Sequence, residues 1–199
     1  MKKAAVSVLL IAAAIALAAC SHADAPDADG LRTDGGRHTE AEKNEEPAPE
    51  TELISVVTPL NDRREGRIEN IRLVCETLSG KVLSPGEEFS FNESVGRRTM
   101  ARGFKKAVVF KDSGKEKEVG GGICQVSSAL YKAAKDAGLT VTERHEHGMS
   151  VDYVPKGEDA TVYYGELDLK FINSTDRPIR MDFHLGSDEL TVTLTSLGA

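Results

Sequence analysis

The sequence predicts an α+β fold in which two or three helices pack on an antiparallel sheet, with a nucleophilic cysteine at a helix N-terminus. Three observations carry that expectation. Two stretches place apolar residues at helical spacing, six short runs of β-formers follow one another after Leu139, and three consecutive glycines lead into the second helical stretch at Cys124. Helices first and strands afterwards favour an antiparallel sheet over an alternating, parallel one.

The first helix is expected over Arg67 to Ser79, where Ile68, Ile71, Val74, Cys75 and Leu78 share one face and Gly80 ends the pattern. Cys75 then points inward and acts as a small hydrophobe, with no chemistry assigned to it. After Pro85-Gly86, Phe89 and Phe91 alternate, and a polar loop rich in Arg and Gly spans Asn92 to Gly103. Ala107 to Phe110 reads as a short strand and Lys111 to Lys117 as a polar turn around Gly114. Val126, Leu130, Ala133, Ala134 and Ala137 mark the second helix, which Gly138 closes. The strand candidates are Thr140 to Arg144, Ser150 to Val154, Thr161 to Tyr164, Leu167 to Ile172, Ile179 to His184 and Leu190 to Ser196. Turn residues such as Pro155-Lys156-Gly157 and Asn173 to Pro178 separate them.

Ahead of this domain, residues 1–20 read as a lipoprotein signal peptide with a lipobox. Lys2 and Lys3 precede an apolar run from Ala4 to Ala16, too short to span a bilayer stably, which ends in Leu17-Ala18-Ala19-Cys20. Cys20 is the expected lipidation site, so the chain is expected to be exported and lipid-anchored to the cell membrane, with its domain on the extracytoplasmic side. Residues 21–50 hold three Lys or Arg against nine Asp or Glu and almost no large apolar side chain, the composition of a disordered acidic linker. Residues 51–199 are the one expected domain. It carries twenty Lys or Arg against twenty-three Asp or Glu and no basic run, which disfavours nucleic acid as a partner.

The chemistry concentrates around Gly120-Gly121-Gly122-Ile123-Cys124-Gln125. Unpaired N–H groups and a partial positive charge at a helix start favour a thiolate, and glycines let a substrate carbonyl approach the backbone. The same N–H groups could form an oxyanion hole, with Gly121, Gly122 and the Gln125 amide as candidates; the plainer alternative is a glycine loop that only turns the chain. His145 and His147 flank Glu146 after the following strand, and His147, before Gly148, is placed to act as general base for the thiol. A His-x-His pair can also bind metal, but no third ligand stands nearby at zinc spacing, and neither metal nor cofactor is expected. Asp159 is the candidate to orient the imidazole, against its reading as a routine turn residue. His184, on a late strand, reads as ordinary. Cys75 and Cys124 are the two cysteines of the domain, and their pairing is disfavoured because one reads as a buried helix face and the other does not.

These residues carry a resemblance. Ser84-Pro85-Gly86-Glu87-Glu88-Phe89-Ser90-Phe91-Asn92, Gly120 to Gln125 with Val126-Ser127-Ser128-Ala129-Leu130-Tyr131, Glu143-Arg144-His145-Glu146-His147, Tyr153-Val154-Pro155, Asp159-Ala160-Thr161-Val162 and Asn173 to Ile179 resemble the VanW domain family, in its order, from about Asn61 to Arg180. The family takes its name from an accessory protein of vancomycin-resistance clusters, and some members are regarded as L,D-transpeptidases. The resemblance therefore implies a thiol enzyme that attacks the bond between the third and fourth residues of a peptidoglycan stem, releases D-alanine and forms 3-3 cross-links. It implies Cys124 as nucleophile, His147 as base and Asp159 as its acid. The expected substrate contacts are Gly121, Gly122, Gln125, His145 and Arg102, the last within an arginine-rich loop with Arg97 and Arg98 whose alternative is plain solvation. Rival expectations are a cysteine peptidoglycan peptidase, a non-catalytic lipoprotein that binds cell-wall precursor or glycopeptide, and a scaffold for other wall proteins.

Overall fold

The computed structural model describes residues 49–111 and 114–198. The expected signal peptide, the lipidation site Cys20 and nearly all of the acidic linker lie outside the described residues. In chain order the elements are β1 (Thr51–Pro59), α1 (Glu65–Leu78), β2 (Lys81–Leu83), β3 (Glu88–Ser90), α2 (Phe91–Val95), a 3-10 turn at Met100–Arg102, β4 (Lys106–Lys111), β5 (Gly114–Val119), α3 (Ile123–Asp136), β6 (Thr140–Glu143), β7 (Lys170–Ile172), β8 (Ile179–Leu185) and β9 (Glu189–Ser196).

The strands make a four-stranded sheet in the order β1-β9-β8-β2, a three-stranded sheet β3-β7-β6 and the hairpin β4-β5. Every pairing among them is antiparallel. The architecture is α+β, with three helices packed against antiparallel sheets.

One face of the large sheet carries the core. Ile179, Met181 and Phe183 on β8 and Leu190, Val192 and Leu194 on β9 are buried at alternate positions, as the two-residue period of a strand requires. Across them α1 packs on β8, α3 packs on β1 and β9, and the two helices pack on each other. The buried face of α3 is rich in alanine, Ala129, Ala133 and Ala134, so its backbone lies close to its neighbours. Leu139 N–H reaches Ala134 O at 2.9 Å and Gly138 N–H reaches Lys135 O at 3.0 Å, with Gly138 at φ 75°, the paired bonds that end a helix at a left-handed glycine. Phe89 and Phe171, 5.0 Å apart between ring centres, fasten β3 to β7 in the smaller sheet.

The structure departs from the sequence reading at several elements. Where the range Lys111 to Lys117 is described it is strand rather than turn: Lys111 ends β4 and Gly114 to Lys117 belong to β5, whose sequence GKEKEV shows no apolar face. Phe91 opens the short helix α2 rather than continuing an alternating strand, and Ser90 caps it, its hydroxyl accepting from Glu93 N–H at 3.1 Å. Ser150 to Val154 and Thr161 to Tyr164 form no strand; the latter makes only an isolated bridge between Tyr163 and Leu167. Both have the right residue types but no adjacent strand to complete a ladder. β1 and β2 were not expected. β1 is an edge strand in which only Val56 and Thr58 are buried, and β2 has three residues, too few to show a period.

Candidate active site

Cys124 is the second residue of α3, and the chain reaches it through a turn that only glycine can make. Gly122 has φ 104°, the left-handed region, and a Cβ there would stand 2.7 Å from Arg67 Cγ. At Gly121 a Cβ would stand 2.7 Å from the carbonyl oxygen of Ala107, so β4 can press against the turn only because no side chain intervenes. Buried Asn70 on α1 locks this arrangement: its amide donates to Gly121 O at 2.9 Å and Lys105 O at 3.0 Å, and its oxygen accepts from Lys105 N–H at 2.7 Å.

The segment from Arg144 to Val162 supplies the partners, and side chains rather than a sheet hold it in place. Ser127 donates to Ala160 O at 2.7 Å, while Ser128 accepts from Ala160 N–H at 2.9 Å and donates to Cys124 O at 2.7 Å, stapling this segment to the first turn of α3. Arg144 lies over the Tyr131 ring, 4.9 Å from its centre, and donates from Nε to Asp159 O at 2.7 Å. Asp159 Oδ2 then accepts from the His147 backbone N–H at 2.7 Å and faces His147 Nδ1 at 2.7 Å. With Nδ1 committed to the carboxylate, Nε2 is the nitrogen left to face Cys124, which lines the same groove as His147 and feels its charge. Thr161 Oγ1 and Val162 O each lie 3.8 Å from Cys124 Sγ. The structure thus brings Cys124, His147 and Asp159 together: Asp159 is hydrogen-bonded to His147, and His147 lines one groove with Cys124.

Electrostatics in this series favour charge separation. Burial opposes a thiolate at Cys124, but the hydrogen bond and positive charge of His147, with lesser help from Val162 and Thr161, outweigh it and lower the thiol pKa. Burial likewise opposes an imidazolium at His147, and the combined pull of Cys124 and Asp159 overcomes it and raises the imidazole pKa. For Asp159 burial is offset by the two hydrogen bonds from His147, and its pKa is lowered. Such a series can hold a thiolate beside an imidazolium, the form in which a thiol attacks and an imidazole hands over a proton.

The other sequence candidates separate. Gly121 and Gly122 line the groove around Cys124. Gln125 also lines it, but its side chain is spent on the scaffold: it accepts from Arg67 Nη2 at 2.8 Å and donates to Thr58 Oγ1 at 3.1 Å and Pro59 O at 2.9 Å. Its backbone N–H is also taken, by Gly122 O at 3.1 Å. Neither Gln125 donor is therefore open to an oxyanion. His145 turns away from the thiol to Glu143, 3.0 Å from its Oε1, because no strand at 144–147 puts the two histidines on one face. Arg102 is exposed, donates to Arg97 O at 2.7 Å and does not line the groove, whereas Arg97 and Arg98 do. Cys75 and Cys124 are both free. Among the described residues no group of three or more His, Cys, Asp or Glu is arranged to hold a metal ion.

Arg67 and Asn70 were not singled out from the sequence, and Ser128 and Tyr153 stood only within the motifs of the resemblance, with no role assigned. Tyr153 lines the groove, and its phenol pKa is pushed up by burial and by the nearby Cys124 charge. One signal for Asn70 was available: a polar residue four positions before Val74, in the stripe that α1 buries.

An α+β domain whose cysteine follows a glycine turn and shares a groove with a hydrogen-bonded His–Asp pair belongs to the class of proteins with a cysteine–histidine–aspartate constellation. The chain belongs to the VanW family: residues 66–195 match the model described as VanW like protein. Similar proteins include "Uncharacterized protein YoaR" of Bacillus subtilis (strain 168), 40% identical over 145 residues, which are 73% of this chain and 48% of the relative. "Vancomycin B-type resistance protein VanW" of Enterococcus faecalis (strain ATCC 700802 / V583) is 32% identical over 118 residues, 57% of this chain and 43% of the relative. The matched region thus spans less than half the length of either curated relative. No solved structure matches the chain.

Proposed function

We propose that this protein is a cell-envelope L,D-transpeptidase that works through a cysteine acyl-enzyme. The observation that carries this reading is the His147–Asp159 pair, hydrogen-bonded at 2.7 Å, beside Cys124 in one groove. The Cys124 thiolate adds to the carbonyl of the third stem residue. His147 gives its proton to the departing D-alanine amine as the C–N bond breaks, leaving a thioester. An acceptor amine then attacks, loses a proton to His147 and expels the thiolate, restoring the starting state and closing a 3-3 cross-link. Asp159 keeps Nε2 of His147 aimed at the sulfur throughout. Among the described residues the backbone N–H groups of Gly122 and Cys124 have no hydrogen-bond partner, and they are the donors we assign to the oxyanion.

The proposed setting follows from the N-terminal segment: lipidation at Cys20 would hold the chain on the membrane, and the acidic linker would let the domain reach peptidoglycan stems. Disaccharide-tetrapeptide muropeptides incubated with the protein, and read by mass spectrometry beside Cys124→Ala, test the reading. Dimers formed with loss of D-alanine, absent with the variant, are expected. Loss of D-alanine without dimers would make the enzyme a carboxypeptidase, cleavage elsewhere in the stem a peptidase, and unchanged muropeptides with a folded protein would move the function to precursor or glycopeptide binding.

A further inference from the structure

The groove has two lobes that meet at Cys124. One runs past His147, Arg67 and the 149–153 segment; the other runs past the glycine turn, Tyr164 and Arg98. Arg98 is held there. Its Nη1 donates to Asn92 Oδ1 at 2.7 Å, and its guanidinium lies 5.4 Å from the Phe91 ring centre and 5.9 Å from that of Tyr164. Nε and Nη2 are closed to solvent and have no hydrogen-bond partner among the described residues, so a carboxylate reaches them by a shift of the side chain within the groove. These two nitrogens form the edge of a guanidinium that grips a carboxylate with two parallel bonds. The Cys124 thiol acts most strongly on the charge of Arg98; the carboxylate that acts most, Asp168, does not fill that edge, because its oxygens accept from Ser90 Oγ at 2.6 Å, Asn92 N–H at 2.8 Å and Leu169 N–H at 2.9 Å. Burial brings the Arg98 pKa down to about 10, so it stays cationic at neutral pH.

Reaction geometry decides which half of a substrate meets Arg98. His147 must protonate the leaving amine and deprotonate the incoming one, so both occupy its lobe. The acyl half is left with the other lobe. We propose that Arg98 binds a carboxylate on the acyl half of the substrate, making this a site for donor stems that carry a free carboxylate before the scissile bond; the assignment rests on the transpeptidase reading. Two groups offer that chemistry, the α-carboxylate of a γ-linked glutamyl residue and the side-chain carboxylate of diaminopimelate.

The test uses the intact chain, as wild type, Arg98→Gln and Arg98→Lys, with tetrapeptide donors amidated at neither carboxylate, at one, at the other, or at both. Amidation of the recognised carboxylate is expected to raise the wild-type KM by about tenfold or more, and Arg98→Gln to raise it equally for the free donor while becoming indifferent to amidation. Whichever single amide has that effect names the source. Arg98→Lys, which keeps the charge but not the fork, is expected to recover only part of the loss. A wild type that treats all donors alike, or an Arg98→Gln variant that still discriminates, overturns the assignment. So does a KM that responds instead to amidation of the leaving D-alanine in an Arg98-dependent way.

If no donor turns over, the transpeptidase reading has failed, and alkylation of Cys124 still reads the anion site. The rate with iodoacetate divided by that with iodoacetamide cancels the reactivity of the thiol. A ratio that falls about tenfold in Arg98→Gln keeps the carboxylate site, and an unchanged ratio removes it.

Discussion

Cys75 and Cys124 are both free thiols on helices of one small domain, and their surroundings drive them in opposite directions. Cys75 sits in the third turn of α1 among Ile71, Val74 and Leu78, and burial pushes its pKa up to about 12. Cys124 sits in the first turn of α3 beside His147, and its pKa is lowered although burial opposes the thiolate there as well. Burial alone therefore does not make a thiol inert or reactive. The cationic partner decides, and a first-turn position leaves room for one because the helix has not yet walled off the approach.

The sharpest way to break this contrast is to alkylate the native protein. At pH 7 iodoacetamide is expected to modify Cys124 on the order of a thousandfold faster than Cys75, which should react only on unfolding. Peptide mapping of the labelled protein reads both sites at once. Comparable labelling would mean that the two environments differ less than their partners imply.

Removing the partner should move Cys124 toward Cys75. His147→Ala is expected to cost about a hundredfold to ten-thousandfold in the proposed acyl transfer. The pH profile of Cys124 alkylation carries the sign: in the wild type the rate rises through a pKa below the ordinary thiol range, and in the variant that limb moves upward, because burial then acts unopposed. A limb that stays in place would remove His147 from the series. Asp159→Asn should have a smaller effect, about tenfold or more in acyl transfer, since the imidazole keeps the backbone of its segment but loses the charge that holds its orientation. Asp159 also ties folding to pH. Its folded pKa is lowered, so its stabilisation is full above the unfolded value and fades as pH falls through the folded one. Acid unfolding of Asp159→Asn should accordingly show less of that loss than the wild type.

The same contrast explains how much the sequence revealed. The environment of Cys75 was legible, because a repeating apolar stripe from Ile68 to Leu78 states burial directly, and the structure buries all of it except Ile68, which is only partly covered. The helix start at Cys124 was legible too, since the glycine run and the apolar face of α3 bracket it. The residues that hold its partners were harder to read. Segment 144–162 has β-forming residues but no neighbouring strand, so its position depends on single contacts such as Ser127 to Ala160, Ser128 to Ala160 and Arg144 to Asp159. Contacts of that kind leave no period in a sequence. They also explain why His145 and His147, expected on one face, part company, and why Arg98 rather than Arg102 reaches the groove.

The smallest effect belongs to Cys75, and it isolates packing from chemistry. Cys75→Ala removes one sulfur from a well-filled face of α1, which should lower stability by about 1 kcal/mol through lost contacts and a small cavity. Denaturant unfolding measures that directly. Because Cys75 supports the core rather than the groove, the pH limb of Cys124 alkylation should not move. A shifted limb would show that α1 relays strain to the glycine turn, and Asn70, which joins that helix to Gly121 at 2.9 Å, would be its route. Asn70→Ala then becomes the discriminating comparison: it cuts the link while leaving both thiols in place, so it should disturb Cys124 even if Cys75→Ala does not.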